Sequence, residues 1–465
     1  MAKNTSTAFV CGSCGYDSSK WYGKCPECGE WNSMKEFSVQ QSQRATGAKS
    51  QRGGNTIVVE PKKVSEVPIN TVIRVSTGFS EFDRVLGQET KSGIVPGSVI
   101  LLSGDPGVGK STLLLQVALN LSISTSHVAE KKNKEPTTDN RQPTRVLYVT
   151  GEESEAQVTM RAKRLLGKRD LKDAALFILA TSDVDSALLH AEREKYELVI
   201  IDSIQTMEGG NVPGYAGSIP QVRHATSRLV SFAKGTNIPV ILIGHVTKEG
   251  MVAGPQTLSH MVDAVLYLEG EKMTGVRILR SFKNRFGDTS EVGIFSMDEY
   301  GMKEVTDLSE LFLGSVAVSP GSCVAVVMEG SRPILVEIQA LTISSNLPYP
   351  RRVASGISEK RLELLLAILQ KHGKMSLDKF DIFINVVGGF KVTETAADLA
   401  VCMAIVSSFK GKALPKSAAI AEVGLLGEIK KVTNLKKREQ EALKFKFKIY
   451  TYETASSIPT ILTQI

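Results

Sequence analysis

The chain has 465 residues, of which 42% are hydrophobic and 23% charged, and its net charge is +7. That length accommodates about three domains, each able to bury a core, and the composition is that of a soluble globular protein. No apolar run approaches the ~18 residues of a membrane span. The opening Met1-Ala-Lys-Asn-Thr-Ser lacks the apolar core of a secretory signal, so a reducing cytoplasm is the expected setting.

Four of the six cysteines form two knuckles at the start, Cys11-x-x-Cys14 and Cys25-x-x-Cys28. Two C-x-x-C pairs about ten residues apart have the spacing of a closed Cys₄ zinc site, and a disulfide is the poorer reading in a reducing compartment. With four thiolates the metal keeps no open position, so such a Zn²⁺ folds the module and does no catalysis. Trp21, Tyr22 and Trp31 flank the knuckles and are expected to form the mini-core of this module, residues 1–35, rather than a base-stacking surface. The stretch 36–65 is expected to be a flexible linker, polar from Gln40 to Asn55. Residues 1–65 carry nine Lys/Arg against five Asp/Glu, a mild basic excess.

The next apolar run, Ser98-Val-Ile-Leu-Leu, leads into Gly104-Asp105-Pro106-Gly107-Val108-Gly109-Lys110-Ser111, followed by Thr112 and a helical apolar pattern. This is the G-x-x-x-x-G-K-[ST] phosphate loop in its required strand–loop–helix setting. Backbone N–H groups and the helix N-terminus are expected to hold the phosphates of a nucleoside triphosphate. Lys110 is expected to reach the β- and γ-phosphates, with the Ser111 hydroxyl on Mg²⁺. Residues 126–144 are polar and rich in Lys and Asn, and read as a surface insertion in a domain spanning 66–303.

Further strands are expected at Arg145-Val-Leu-Tyr-Val-Thr, Leu198-Val-Ile-Ile-Asp202 and Pro239-Val-Ile-Leu-Ile-Gly. Their alternation with helical segments predicts an α/β fold on a parallel sheet, with ligands at the carboxyl ends of the strands. Asp202 then stands where a carboxylate holds Mg²⁺ through water. Glu152 is positioned to polarise an attacking water, although Glu153 is as good on spacing alone. His245, at another strand end, could contact the γ-phosphate.

Taken together, these motifs resemble the RecA-type ATPases, and specifically the bacterial RadA (Sms) family. The residues that carry the match are the four cysteines, the phosphate loop, Tyr148-Val-Thr-Gly-Glu-Glu-Ser154, Val199-Ile-Ile-Asp-Ser203, Gly244-His-Val-Thr-Lys-Glu-Gly250 and Lys283-Asn-Arg-Phe-Gly287. The resemblance implies a DNA-dependent ATPase of helicase or branch-migration type that acts on single-stranded and branched DNA during recombination and the repair of DNA damage. It also implies a closed ring, most plausibly a hexamer, and a strand-exchange recombinase as partner. Lys283 and Arg285 would stabilise the γ-phosphate of a neighbouring subunit. Two Gly-rich segments, 206–217 and 247–255, match the loops that line the channel of RecA-like rings, with Lys248 and Arg223 as phosphate contacts. Three rivals follow from the same residues: a Lon-like ATP-dependent protease, a non-motor loader, and a KaiC-like signalling ATPase without a DNA substrate.

From about residue 304 to 465 the pattern resembles the α+β C-terminal domain of Lon proteases. Ala396 falls where a catalytic serine would be, so Lys436 has no hydroxyl to activate, and Thr395 is a remote alternative. Eleven Lys/Arg against four Asp/Glu between Lys410 and Lys448, ending in Lys444-Phe-Lys-Phe-Lys, read as a strand-built basic surface for double-stranded DNA.

Overall fold

The computed structural model describes residues 6–11, 17–18, 20–26, 29–32, 34–39, 63, 74–87, 92–123, 142–167, 169–210, 212–245, 258–270, 275–305, 313 and 318–465. Cys14, Cys28 and Lys248, most of the linker and most of the 126–144 insertion lie outside them. Among the described residues no helix is long and apolar enough to cross a membrane. The chain forms two compact units, residues 1–268 with 281–287, and residues 269–280 with 288–465.

The first unit starts with a small antiparallel sheet in which β1 (Ser6–Cys11) pairs with β2 (Asp17–Ser18) and β3 (Met34–Val39). Cys11 and Cys25 are buried beside Met34, with Phe9 packed against them. Cys25 closes a tight turn, its carbonyl accepting from the Gly29 N–H at 2.9 Å. The aromatic residues do not form the expected mini-core: Trp21 is 55% and Trp31 70% exposed. A module this small has no layer under which two indoles could be hidden.

After α1 (Ser80–Leu86), the main sheet of this unit is built from six parallel strands. These are β4 (Val99–Gly104), β5 (Val146–Thr150), β6 (Leu176–Ala180), β7 (Leu198–Asp202), β8 (Val240–Ile243) and β9 (Ala264–Gly270). Their spatial order is β9-β4-β8-β7-β5-β6, all neighbours parallel. β4, β5, β7 and β8 are buried throughout, which explains their continuous apolar runs. The intervening helices are α2 (Lys110–Ser122), α3 (Glu155–Leu166), α4 (Val184–Arg193) and α5 (Ile219–Thr236). Ser154 and Gln157 form a reciprocal capping box at the start of α3. Pro220 sits in the first turn of α5, where its missing N–H costs nothing, and Asn237 ends that helix in the left-handed conformation.

The strand β10 (Val276–Asn284) belongs to the second unit up to Arg280, and there it forms an antiparallel meander with β11 (Val292–Asp298) and β12 (Gly301–Glu304). Val276, Val292 and Ile294 belong to the same core as the C-terminal residues, so this unit reaches back before residue 304. A six-stranded mixed sheet follows, formed by β13 (Ser322–Glu329), β14 (Arg332–Ser344), β15 (Arg352–Ser355), β16 (Phe380–Val386), β17 (Ser417–Ala419) and, after the two-residue strands β18 (Glu422–Val423) and β19 (Ile429–Lys430), β20 (Lys448–Tyr450). Its order is β15-β16-β14-β13-β17-β20. Helices α6 (Glu359–Gly373) and α7 (Asp398–Lys410) share one core with it, and α8 (Leu435–Lys444) contributes to another, before the short α9 (Ile458–Leu462). Cys323 and Cys402 are fully buried in this unit, and burial pushes both thiol pKa values up, that of Cys323 to about 12.

One expectation fails in this unit. Lys444-Phe-Lys-Phe-Lys is the end of α8, a turn and the start of β20, not a strand. The turn has Lys446 at positive φ with Phe447 buried, so tertiary anchoring of one phenylalanine overrides the alternation. Gly424-Leu-Leu-Gly is the turn that joins β18 to β19.

Candidate active site

The carboxyl ends of β4, β5, β7 and β8 gather the expected residues in one place. Gly104 has φ +152, and a Cβ there would lie 2.3 Å from the Leu268 carbonyl oxygen, so only glycine fits where the loop leaves β4. Gly109 caps α2 in the left-handed region. Asp105, Pro106, Gly107 and Val108 form the intervening turn, in which the Val108 N–H bonds to the Asp105 carbonyl at 3.3 Å. Lys110 folds across that loop, its Nζ donating to the carbonyls of Gly104 at 2.8 Å and Asp105 at 3.0 Å. Burial lowers its pKa, against the pull of Asp202, Asp105 and Glu152. Thr112 is buried on the first turn of α2.

Asp202 ends β7 and shares its carboxylate between two elements. Ser111 Oγ donates to Oδ1 at 3.1 Å, and Tyr148 of the neighbouring strand β5 donates to Oδ2 at 2.5 Å. Burial and the nearby Asp202 carboxylate hold the Tyr148 phenol well above its usual pKa. Arg161 of α3 lies 3.8 Å from the same carboxylate and is held by Glu153 at 2.8 and 3.0 Å. The two glutamates have different partners: Glu153 pairs with Arg161, whereas Glu152 turns toward Ser203 and His245. Glu152 Oε1 accepts from Ser203 Oγ at 2.6 Å and lies 3.5 Å from His245 Nε2. The His245 hydrogen bond, working against partial burial and aided by Ser203, lowers the Glu152 pKa to about 2. Gln205 secures the His245 backbone, Nε2 to carbonyl at 3.3 Å.

This donor set suits a nucleoside triphosphate with a divalent cation. A hydroxyl and a carboxylate lie within hydrogen-bond distance of each other, a lysine spans the loop, and a second carboxylate is kept ionised beside them. Cys11 and Cys25, both buried in a tight-turn module, suit a structural metal in the same way, although Cys14 and Cys28 lie outside the described residues.

Lys283 and Arg285 are at the other end of the sheet. Lys283 Nζ donates to the carbonyls of Ser259 at 2.6 Å and Val262 at 2.7 Å. Arg285 Nη1 reaches Asp263 Oδ1 at 3.3 Å, and its side chain is 55% exposed. Asp263 also accepts from the N–H of Val99, the first residue of β4, at 3.0 Å. The five residue steps from Val99 to Gly104 make that end roughly 17 Å from the phosphate loop. Arg223 is exposed on α5, beyond the Gly-rich 206–217 segment. Gln221 ties that segment down, accepting from Gly209 N–H at 2.8 Å and donating to the Val212 carbonyl at 2.6 Å.

In the second unit Ala396 is buried while Lys436 is exposed on α8, and Thr395 Oγ1 donates to Glu422 at 2.8 Å. Among the described residues nothing there forms a hydroxyl–amine pair. Residues missed by the sequence reading are Tyr148, Arg161, Ser203, Asp263 and Lys234. Tyr148, Ser203, Asp263 and Lys234 have partners remote in sequence, Arg161 pairs with Glu153 eight residues away, and only the tyrosine within an otherwise apolar run offered a signal.

The phosphate loop on β4, the carboxylate one strand removed on β7 and the sheet order define a RecA-like P-loop ATPase core with an N-terminal metal-binding ribbon and a C-terminal α+β region. A family model described as an AAA domain matches residues 89–251, and one described as a rubredoxin metal binding domain matches 9–36. The DNA repair protein RadA of Salmonella typhimurium is 43% identical over 454 residues, covering 96% of this chain and 92% of that protein. Those of Escherichia coli and Bacillus subtilis are 43% identical over 452 and 450 residues, with the same coverage. The chain belongs to the RadA family.

Proposed function

We propose that this chain is a DNA repair and recombination ATPase that assembles into a ring, probes or moves along single-stranded DNA, and cleaves ATP between adjoining subunits. The observation that carries this reading is the split of the site across β4. The phosphate loop, Ser111, Asp202 and Glu152 gather at one end, while the exposed Arg285 sits roughly 17 Å away at the other. An arginine side chain cannot bridge that distance within one subunit, which supports the reading that Arg285 adds its charge to the nucleotide of a neighbour, beside that subunit's own Lys110.

In this reading residues 104–112 bind ATP, and Ser111 with Asp202 hold Mg²⁺, which neutralises phosphate charge when bound. Glu152, kept ionised by His245 and Ser203, orients the attacking water and accepts its proton. His245, sharing a hydrogen bond with Glu152, reports loss of the γ-phosphate to the segment after β8. Lys283 clamps the turn before β9, and Arg285 is the group that reaches across. Single-stranded phosphates meet Arg223 and Lys248, and Zn²⁺ on Cys11, Cys14, Cys25 and Cys28 folds the ribbon. Family membership supports the DNA substrate; the reading takes the cytoplasm as its setting and a strand-exchange recombinase as partner.

Turnover of ATP by the full chain, measured with and without single-stranded DNA alongside its sedimentation, tests this reading. DNA-stimulated hydrolysis by a ring is the expected result. Hydrolysis in neither condition would leave a non-motor loader, and a monomer with both ligands present would exclude a shared site.

A further inference from the structure

We propose that Asp263 is a positioning residue for ATP cleavage: it stores Arg285 between turnovers, with Lys234 as the counter-ion that lets Arg285 leave. The inference rests on the reading that Arg285 acts on a neighbouring subunit's nucleotide.

The segment Lys283-Asn-Arg-Phe-Gly287 is fastened at every position but one. Lys283 holds the carbonyls of Ser259 and Val262. Asn284 donates to the Leu86 carbonyl at 3.1 Å and accepts from the Phe286 N–H at 2.9 Å. The Phe286 carbonyl accepts from Arg74 at 2.7 Å. A Cβ on Gly287 would lie 3.2 Å from the Leu86 carbonyl. Even the Arg285 backbone is fixed, its N–H bonded to the Asp263 carbonyl at 3.1 Å. The Arg285 guanidinium alone is mostly exposed, with one long bond to Asp263 Oδ1. The segment is therefore a rigid mount for one movable side chain.

Asp263 is 3% exposed, and a buried carboxylate stripped of its cation is strongly destabilising. Were Arg285 its sole partner, release toward a phosphate would leave that charge bare. Lys234 Nζ removes the obstacle by holding Oδ2 at 2.6 Å, tighter than Arg285 holds Oδ1 at 3.3 Å. The lasting pair is Asp263–Lys234, and Arg285 is the transferable ligand. Because Oδ2 also accepts from Val99 N–H, the store is anchored on the strand that runs into the subunit's own phosphate loop.

Lys234→Met should make Arg285 the only counter-ion and so retain it, lowering kcat about tenfold with KM for ATP within about twofold. Lys234→Arg should restore turnover. Adding Asp263→Asn to Lys234→Met should recover most of the lost rate, because an amide needs no cation; a merely structural role gives losses that add. Unchanged turnover in Lys234→Met, or a double variant no faster than that single one, overturns the proposal. Lys234 is half-exposed, so its replacement leaves the core intact. Mixing Lys110→Ala with Arg285→Ala subunits separates the two levels. No recovery of turnover on mixing defeats the reading of Arg285 in trans, whereas recovery together with an unaffected Lys234→Met defeats only the storage role.

Discussion

Tyr148 donates its hydroxyl to the same Asp202 carboxylate that accepts from Ser111, one oxygen each, at 2.5 and 3.1 Å. The tyrosine fixes the rotation of the carboxylate and so aims the other oxygen at the serine. Tyr148→Phe removes that bond without changing the packed ring. Hydrogen bonds to charged groups are worth about 1.5–3 kcal/mol, so the Mg²⁺ concentration for half-maximal turnover should rise about tenfold or more. A titration of hydrolysis rate against Mg²⁺ reads this directly; an unchanged midpoint would mean Asp202 is oriented by other means.

Glu152 gives a pH prediction. Its pKa in the folded chain, about 2, is below the ordinary carboxylate value near 4.3. Any stability it contributes is therefore present above pH ~4.3 and lost as pH falls through about 2. Its ionisation should leave no inflection in the rate–pH profile of the native protein above pH ~3. Replacing His245 with Ala together with Ser203 with Ala removes both hydrogen bonds, and the acid limb should move up toward the ordinary range. A limb that stays in place would show that Glu152 is not the water-orienting base.

Arg285→Ala should reduce ATP turnover by about three orders of magnitude, the usual scale for a phosphoryl-stabilising arginine, while single-stranded DNA binding is retained. Fluorescence anisotropy on a labelled oligonucleotide, run beside the hydrolysis assay, separates the two. Loss of DNA binding with hydrolysis intact would assign Arg285 to the nucleic acid instead.

Arg438 supplies a stability prediction in the second unit. It is 1% exposed and bonds both oxygens of Glu394 at 2.7 Å, together with the Val326 carbonyl at 2.6 Å. Glu394→Gln leaves this guanidinium buried without its charge partner, which should cost about 3 kcal/mol. Denaturant unfolding should detect this as an earlier transition, and an unshifted midpoint would show that Glu394 is solvated enough to be dispensable.

The sheet and the phosphate loop were legible in the sequence because buried parallel strands write continuous apolar runs, and because Asp202 and His245 follow such runs directly. Glu152 and Glu153 could not be told apart, since the choice depends on Arg161, which approaches from α3. Tyr148 drew no role of its own from the sequence because the partner of its hydroxyl is 54 residues away. Lys283 and Arg285 read as equivalent cations, and only their partners distinguish them: Lys283 is held by the carbonyls of Ser259 and Val262, Arg285 by the single carboxylate oxygen of Asp263. Alternation misled at Lys444-Phe-Lys-Phe-Lys, where burial of Phe447 decided the backbone, and composition misled at Trp21 and Trp31, which the small ribbon leaves in solvent.

Cys323 and Cys402 are enclosed in the second unit with their thiols held protonated, so alkylating reagents find neither a path nor a nucleophile while that unit is closed. Their labelling rate then becomes an internal clock: each modification of either thiol records an opening of the C-terminal region.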